Sequence, residues 1–256
     1  TNYWDVVLFP DYQRNVLNAD LYRFSYSIRN TILTALATQF RFAKFDIQAN
    51  LLSTLKYDKT QSGPADKNRN ELTPTVMLSW QPFNQKEFRL RSFYKSIFRM
   101  PTFNDLYYTN YGFTVLKPEY TKQYDLGFTY IKGYEGRILS QFSIQADAYY
   151  NKVKNKIVAV PGNSQARWSM QNLGLVEIKG LDVNIQSAWQ LTDYINFTTG
   201  LTYTYQNAID VNRASASYKD LIPYTPIHSG SFLASAAYRN FSMNYSFIYT
   251  GERYNQ

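Results

Sequence analysis

The feature that most constrains this chain is a period of two, held over segments about a dozen residues long, near what a tilted strand needs to cross a bilayer. In residues 240–250, Phe241, Met243, Tyr245, Phe247 and Tyr249 share one face, while Ser242, Asn244, Ser246 and Thr250 share the other, with Ile248 the one exception. Residues 195–207 repeat this, setting Ile195, Phe197, Leu201, Tyr203 and Tyr205 against Asn196, Thr198, Thr202, Thr204 and Gln206. In 137–150, Ile138, Phe142, Ile144, Ala146 and Ala148 oppose Gln141, Ser143, Gln145 and Asp147; in 45–57, Ile47, Ala49, Leu51 and Leu55 oppose Asp46, Gln48, Asn50 and Lys56. Such alternation describes strands with one apolar and one polar face. Helical periodicity is nowhere convincing. Soluble sandwiches and lipocalins alternate too, but their strands average about five or six residues.

The links between these segments are alternately short and long. Short ones fall near 43–44, 83–87, 132–136, 191–194 and 239–240, and long ones near 58–70, 99–117, 151–172 and 208–225. Outer-membrane barrels have this asymmetry of tight periplasmic turns and long extracellular loops. Aromatics gather beside the short turns, namely Phe42, Phe45, Phe83, Phe88, Tyr134, Tyr194, Tyr238 and Phe241, where a girdle is expected. Soluble hairpins packing the same rings into a core are the alternative. The count is ten strands between 31 and 250; residues 1–30 read as the end of a preceding loop, with a strand start around 21–28.

Composition narrows the class. Aromatic residues make up 18% of the 256 residues, including 24 Tyr and 17 Phe. Tyrosine suits strands and membrane interfaces, where an apolar ring and a wet hydroxyl are both useful. Mean hydropathy is negative, and uncharged stretches such as 221–238 alternate in polarity and contain proline. A spanning helix, which needs about 20 consecutive apolar residues, is therefore not expected. Residues 1–10 lack a basic segment followed by an apolar one, so a barrel protein would have its true N-terminus upstream. The absence of cysteine excludes a disulfide framework, a thiolate metal site and a cysteine nucleophile. The net charge of +8 comes from scattered residues whose densest run is 152–156, in an expected loop; no nucleic-acid partner follows from it.

Five local signatures resemble the C-terminal half of TonB-dependent receptors of the outer membrane. Phe98-Arg99-Met100-Pro101-Thr102-Phe103-Asn104-Asp105-Leu106-Tyr107-Tyr108 is similar to the family's Arg-x-Pro-Thr-x-x-Asp-Leu-Tyr segment. Leu116-Lys117-Pro118-Glu119-Tyr120 with Tyr124-Asp125-Leu126-Gly127 resembles its next strand opening. Asn172-Leu173-Gly174 with Lys179-Gly180-Leu181-Asp182, Pro223-Tyr224-Thr225-Pro226-Ile227-His228 and Gly251-Glu252-Arg253-Tyr254 resemble the three that follow. All five stand in the family's order from 98 to 254; residues 1–87 carry none. Read alone, these residues are structural: the prolines mark strand ends, Asp105 suits a side-chain turn, and Gly127, Gly180 and Gly200 lie on polar faces where barrel curvature or a close neighbour needs no side chain.

The resemblance implies a barrel of about 22 strands filled by a plug domain, capture of a ligand by extracellular loops, and energy from the TonB complex through the plug region. This chain shows neither plug nor TonB-contacting segment, and Gln256 is not the aromatic residue that usually closes the last strand. It is expected to be part of an antiparallel transmembrane β-barrel in the cell outer membrane, with about three strands to follow 250 and about nine to precede 31.

No cofactor is expected, and catalysis finds little support. His228 is the one histidine and no Gly-x-Ser-x-Gly surrounds any serine, so neither a Ser/His/Asp triad nor a histidine metal site is in view. Asp46, Asp125, Asp147 and Asp182 fall on polar faces with Arg89, Arg91 and Lys95, as a hydrated lumen requires. No phosphate loop occurs, and the sequons at 196, 240 and 244 sit in or beside strands. Loop aromatics are the best substrate-binding candidates: Tyr107, Tyr108, Tyr111 and Phe113 in one loop, Arg167 and Trp168 in the next. Exposed rings beside a guanidinium suit an anionic organic ligand or a macrocycle; the alternative is that they pack the loops. The reading is an importer of a scarce nutrient, siderophore-bound iron, haem, cobalamin or a glycan, with outer-membrane lipid around it. A barrel enzyme, a passive porin and a soluble lectin-like β protein are the competing classes.

Three placements follow. Phe241, Met243, Tyr245, Phe247 and Tyr249 face lipid, and Ser242, Asn244 and Ser246 face the lumen. The loops at 99–117 and 151–172 share one end, opposite the turns at 132–136 and 191–194. No ladder closes the strand near 31–42 onto that near 240–250.

Overall fold

A computed structural model describes residues 3–18, 25–61, 63, 65–107, 115–136, 138–161 and 168–254. They form a single antiparallel sheet of 11 strands in which each strand pairs with its neighbours in sequence. The strands are β1 (Tyr3–Val16), β2 (Ile28–Phe42), β3 (Phe45–Lys59), β4 (Arg69–Trp80), β5 (Phe88–Arg99), β6 (Glu119–Gly133), β7 (Leu139–Pro161), β8 (Trp168–Thr192), β9 (Ile195–Asp210), β10 (His228–Tyr238) and β11 (Phe241–Thr250). One helical turn, α1 (Phe103–Tyr107), interrupts the link from β5 to β6. The ten strands expected between 31 and 250 are β2 to β11. Among the described residues β1 and β11 are open edges, and no ladder joins β2 to β11.

Two expectations are corrected. Residues 3–16 are not a loop end; they pair with β2 from Tyr3↔Arg41 to Val16↔Ile28. The register puts Trp4, Val6, Leu8 and Tyr12 on one face, but Val7 and Phe9 on the other, and Pro10 lies between. Apolar residues on both faces and a proline blur the alternation that marks a strand. Of the strand start around 21–28, Ile28 opens β2, and 21–24 lie outside the described residues. The second correction concerns 151–172. Most of that span is strand, because β7 and β8 stay paired from Leu139↔Trp189 to Pro161↔Trp168.

Register assigns the faces. Tyr130, Ile144, Ile185, Leu201, Phe232 and Phe247 lie side by side across β6 to β11. Three residues along β9, a second row runs Arg91, Gly127, Asp147, Asp182, Thr204, Ser229 and Thr250 on the opposite face. The apolar row belongs to the outside of a barrel wall and the polar row to its lumen. Phe247 therefore points outward and Ser246 inward, as alternation required.

The short turns fall at one end of the sheet, and the long connections, including that at 99–117 and the β7–β8 tip, at the other. Ala43 and Arg239 adopt φ of 48° and 49°, the left-handed geometry that a two-residue hairpin demands. On the outer face beside these turns, Phe45 stacks on Trp80 at 5.7 Å, Phe88 on Phe128 at 5.7 Å, and Phe83 tilts against Phe88 at 5.6 Å. Toward the other end, Tyr124 sits between Tyr94 at 5.2 Å and Tyr150 at 6.1 Å. Two aromatic belts so bracket the apolar band, as membrane interfaces select.

Candidate functional site

The long-loop end is built on an ion network that the hairpin register creates. Pairing β2 with β3 sets Arg29 opposite Asp58 on the inner face. The Arg29 guanidinium donates Nε to Asp58 Oδ1 at 2.9 Å and Nη2 to Oδ2 at 2.8 Å, and its Nη1 donates to the Pro101 carbonyl at 2.8 Å. Its plane also lies 4.8 Å from the centre of the Phe103 ring. Lys56 is fully buried and binds both Asp58 and Asp66. A buried charge lasts only when paired; here each has a partner, and the result ties the start of the 99–118 connection to the wall.

That connection is folded on itself. Thr102 caps α1: its Oγ1 accepts the Asp105 amide at 3.1 Å, and Asp105 Oδ2 accepts the Thr102 amide at 2.8 Å. This is a capping box with Asp in the returning position. Arg99 reaches Glu119 at 3.4 Å and Asp105 at 3.6 Å, joining the two strand ends. Asn172 then clamps the returning segment: its Oδ1 accepts the Lys117 amide at 2.8 Å, and its Nδ2 donates to the carbonyls of Lys117 at 2.9 Å and Asn155 at 2.8 Å.

Behind these contacts lie two small cores. Leu106, Tyr107, Leu116 and Ile157 are buried together, with Leu17, Phe103 and Met170 around them. Val153, Val176, Ala208 and Ile222 form the other, flanked by Leu173 and Ile178. Val153, Val176 and Ala208 are inward-facing positions of β7, β8 and β9, so Ile222 brings the 211–227 connection inward over the mouth. Its backbone is fastened by Ile222 N to Ala208 O at 2.9 Å and Lys219 N to Asp210 O at 2.7 Å.

Tyr107 lies inside the first of these cores with 7% exposure, and burial pushes its hydroxyl above the ordinary tyrosine value. It remains a neutral packing ring. Trp168 opens β8 opposite Pro161. Tyr108, Tyr111, Phe113 and Arg167 lie outside the described residues. His228 is an interfacial side chain: Nδ1 shares a 2.9 Å hydrogen bond with the Tyr203 hydroxyl, and the ring sits 5.4 Å from Tyr205.

Below the rim, Asp46, Arg89, Arg91, Asp125, Asp147 and Asp182 line one inner concavity of about 510 Å³. Arg91 reaches over β6 to Asp147 at 2.6 Å, and Gly127 lies between them in the register. A methyl group at 127 would sit on the Asp147 carboxylate and 2.6 Å from the Ala146 carbonyl oxygen. Gly180 does the same for Tyr149, whose ring lies over it and whose hydroxyl donates to Gln206 at 3.3 Å. Gly200 has only the Leu233 Cβ, at 3.8 Å. Side chains thus lie flat along the inner wall wherever glycine leaves room.

Sequence reasoning did not single out Arg29, Lys56, Asp58, Asp66 or Asn172 as a framework. One signal was present: counting outward from the 43–44 turn sets Arg29 against Asp58. Asn172 was marked only as part of the Asn172-Leu173-Gly174 signature; its partners Lys117 and Asn155 depend on how two loops fold together.

Comparison with known proteins converges on one family. The family model described as TonB dependent receptor-like, beta-barrel matches residues 2–256. The vitamin B12 transporter BtuB of Vibrio vulnificus (strain YJ016) is 28% identical over 145 residues, 57% of this chain and 19% of that protein. The fold is similar to that of the copper transporter OprC, with a TM-score of 0.73 at 16% identity over 96% of this chain and 40% of that one. The FrpB iron transporter from Neisseria meningitidis (F3-3 variant) gives 0.65 at 16% identity, over 96% and 39%.

Proposed function

The chain belongs to the TonB-dependent receptor β-barrel family of the outer membrane, and from that premise we propose that it forms wall and ligand-facing rim in an importer of a scarce nutrient. The observation that carries this reading is the long-loop end. Loops there are ion-paired and packed onto the inner side of the strands, over the mouth of a polar-lined wall. A passive pore gains nothing from such a folded rim, whereas a receptor needs preorganised loops to hold a ligand at low concentration.

Within this reading the lumen is filled by a plug domain, through which the TonB complex supplies energy. Further strands pair the outer edges of β1 and β11, because lipid does not tolerate a row of unpaired backbone groups. The ligand is a small organic molecule or a metal chelate: siderophore-bound iron, haem, cobalamin or a glycan. Its proposed contacts are Tyr108, Tyr111, Phe113, Arg167 and Trp168, carried by loops whose bases are the mooring just described. Tyr107 supports them from below.

The test uses the whole receptor, purified in detergent and titrated with cyanocobalamin, haemin, a ferric catecholate, a copper(II) salt and a maltodextrin. One of these should bind with Kd at or below about 1 μM, the range of specific capture. Combining Tyr111→Ala, Phe113→Ala and Arg167→Ala should weaken that binding at least about tenfold, as loss of an aromatic and guanidinium contact set does. Unchanged affinity in the triple variant refutes the loop assignment. Binding of none of the five refutes the ligand classes.

A further inference from the structure

The outer face of β6, β7 and β8 records where the membrane ends. Along β7 the outward positions run Phe142, Ile144, Ala146, Ala148 and Tyr150, then change to Lys152 and Lys154. Along β6 they run Tyr130, Phe128, Leu126 and Tyr124, then Lys122. On β8 they run Ile185, Val183 and Leu181, then Lys179. Register places Tyr124, Tyr150 and Lys179 in one row and Lys122, Lys152 and Glu177 in the next. Lysines therefore stand within the tyrosine row or directly beyond it on three adjacent strands.

Two observations indicate that these lysines await a counter-charge. Lys122 and Lys152 are direct cross-strand partners, about 5 Å apart at Cβ, an arrangement that like charges destabilise. Lys122, Lys152, Lys154 and Lys179 are all exposed, and among the described residues none forms a salt bridge. Glu177, the one carboxylate in the row, stands opposite Lys152 without bridging to it among the described residues, and Lys179 lies 6.0 Å from the Tyr150 ring. On the inner face, by contrast, arginine and aspartate are bridged at Arg29, Arg41 and Arg91.

We propose that Lys122, Lys152, Lys154 and Lys179 form a binding site for the phosphorylated headgroup of an anionic lipid in the leaflet on the long-loop side. The four ammonium groups lie where headgroup phosphates lie, at the edge of the apolar band, and attract them within a Debye length. Tyr124 and Tyr150 beneath them give a ring surface to the start of the acyl region. The patch is a flat strand face, with no enclosure for a small soluble anion. The lipid holds its phosphates at that height.

The experiment takes the whole receptor in detergent and measures retained lipid by native mass spectrometry, with bisphosphorylated lipid A as probe and its dephosphorylated form as comparison. The wild type should hold the bisphosphorylated form and discriminate against the other. Each Lys→Gln substitution should weaken retention about fivefold, and the quadruple K122Q/K152Q/K154Q/K179Q variant should abolish the discrimination. The quadruple Lys→Arg variant should retain it, and K132Q, at the opposite belt, should leave it unchanged. Heat-modifiable migration on gels verifies that every variant is a folded barrel. Equal retention by the wild type and a folded quadruple Lys→Gln variant overturns the site. Displacement of the lipid by inorganic phosphate at matched ionic strength overturns the lipid as its occupant.

Discussion

Gly127→Ala tests whether the inner wall is built as described, because an ordinary strand glycine should gain from the change. Replacing glycine by alanine within a strand stabilises by about 0.5–1 kcal/mol when space allows. Here the new methyl meets the Asp147 carboxylate and lies 2.6 Å from the Ala146 carbonyl oxygen. The carboxylate can swing away, at the loss of its 2.6 Å contact with Arg91; that pair is 35% and 17% exposed, so it contributes about 0–1 kcal/mol. The carbonyl belongs to β7 and cannot leave without bending the ladder, an overpacking strain of about 1–3 kcal/mol. The net expectation is a destabilisation of about 1–3 kcal/mol, opposite in sign to the propensity effect. The assay is guanidinium unfolding of the whole receptor in lipid vesicles, followed by tryptophan emission, with the midpoint compared at unchanged slope. In an Asp147→Ala background the same substitution should cost about 1 kcal/mol less, since one of its two obstacles is gone. A neutral or stabilising Gly127→Ala, or equal cost in both backgrounds, refutes the crossing of Asp147 over β6.

Two further outcomes are expected. Tyr245→Arg, on the outer face opposite Ala234, should destabilise the membrane-inserted barrel by about 2–4 kcal/mol while Asn244→Arg costs far less; equal costs would mean the face assignment is wrong. Arg29→Met should cost about 3–5 kcal/mol, because Asp58 is left buried with half its partners gone, and protease cleavage between 100 and 118 should become faster; a loop that stays protected would show that Arg29 does not moor it.

Most of the wall was legible because lipid imposes a rule on every outward position. From β2 to β11 the outer row must be apolar and the inner row polar, so a period of two appears wherever both conditions hold. β1 escaped because Val7 and Phe9 share the inner face with Asp5, Asp11 and Gln13, and Pro10 reads as a strand breaker. The ion network was half legible. Counting equally outward from the 43–44 turn puts Arg29 opposite Asp58, but nothing in sequence says that Pro101 and Phe103 complete the site. Close approaches at Gly127 and Gly180 were foreseen as a type and not by partner, since Asp147 and Tyr149 come from the next strand.

The upper halves of β7 and β8 were missed for a different reason, and it explains the shape of the rim. Alternation there does not stop; it inverts. Lys152, Lys154 and Lys156 point outward while Val153 and Ile157 are buried inside, the reverse of the pattern a few residues below. Once a strand leaves the apolar band its outer face meets water, and the inner face becomes the side where apolar residues belong. A two-stranded ribbon cannot bury that face alone. Leu106, Tyr107 and Leu116 cover Ile157, and Ile222 covers Val153 and Val176. The inward lean of the loops is thus required by the ribbon's own sequence: the inner apolar positions above the membrane need a cover, and the connections at 99–118 and 211–227 are what the fold places within reach.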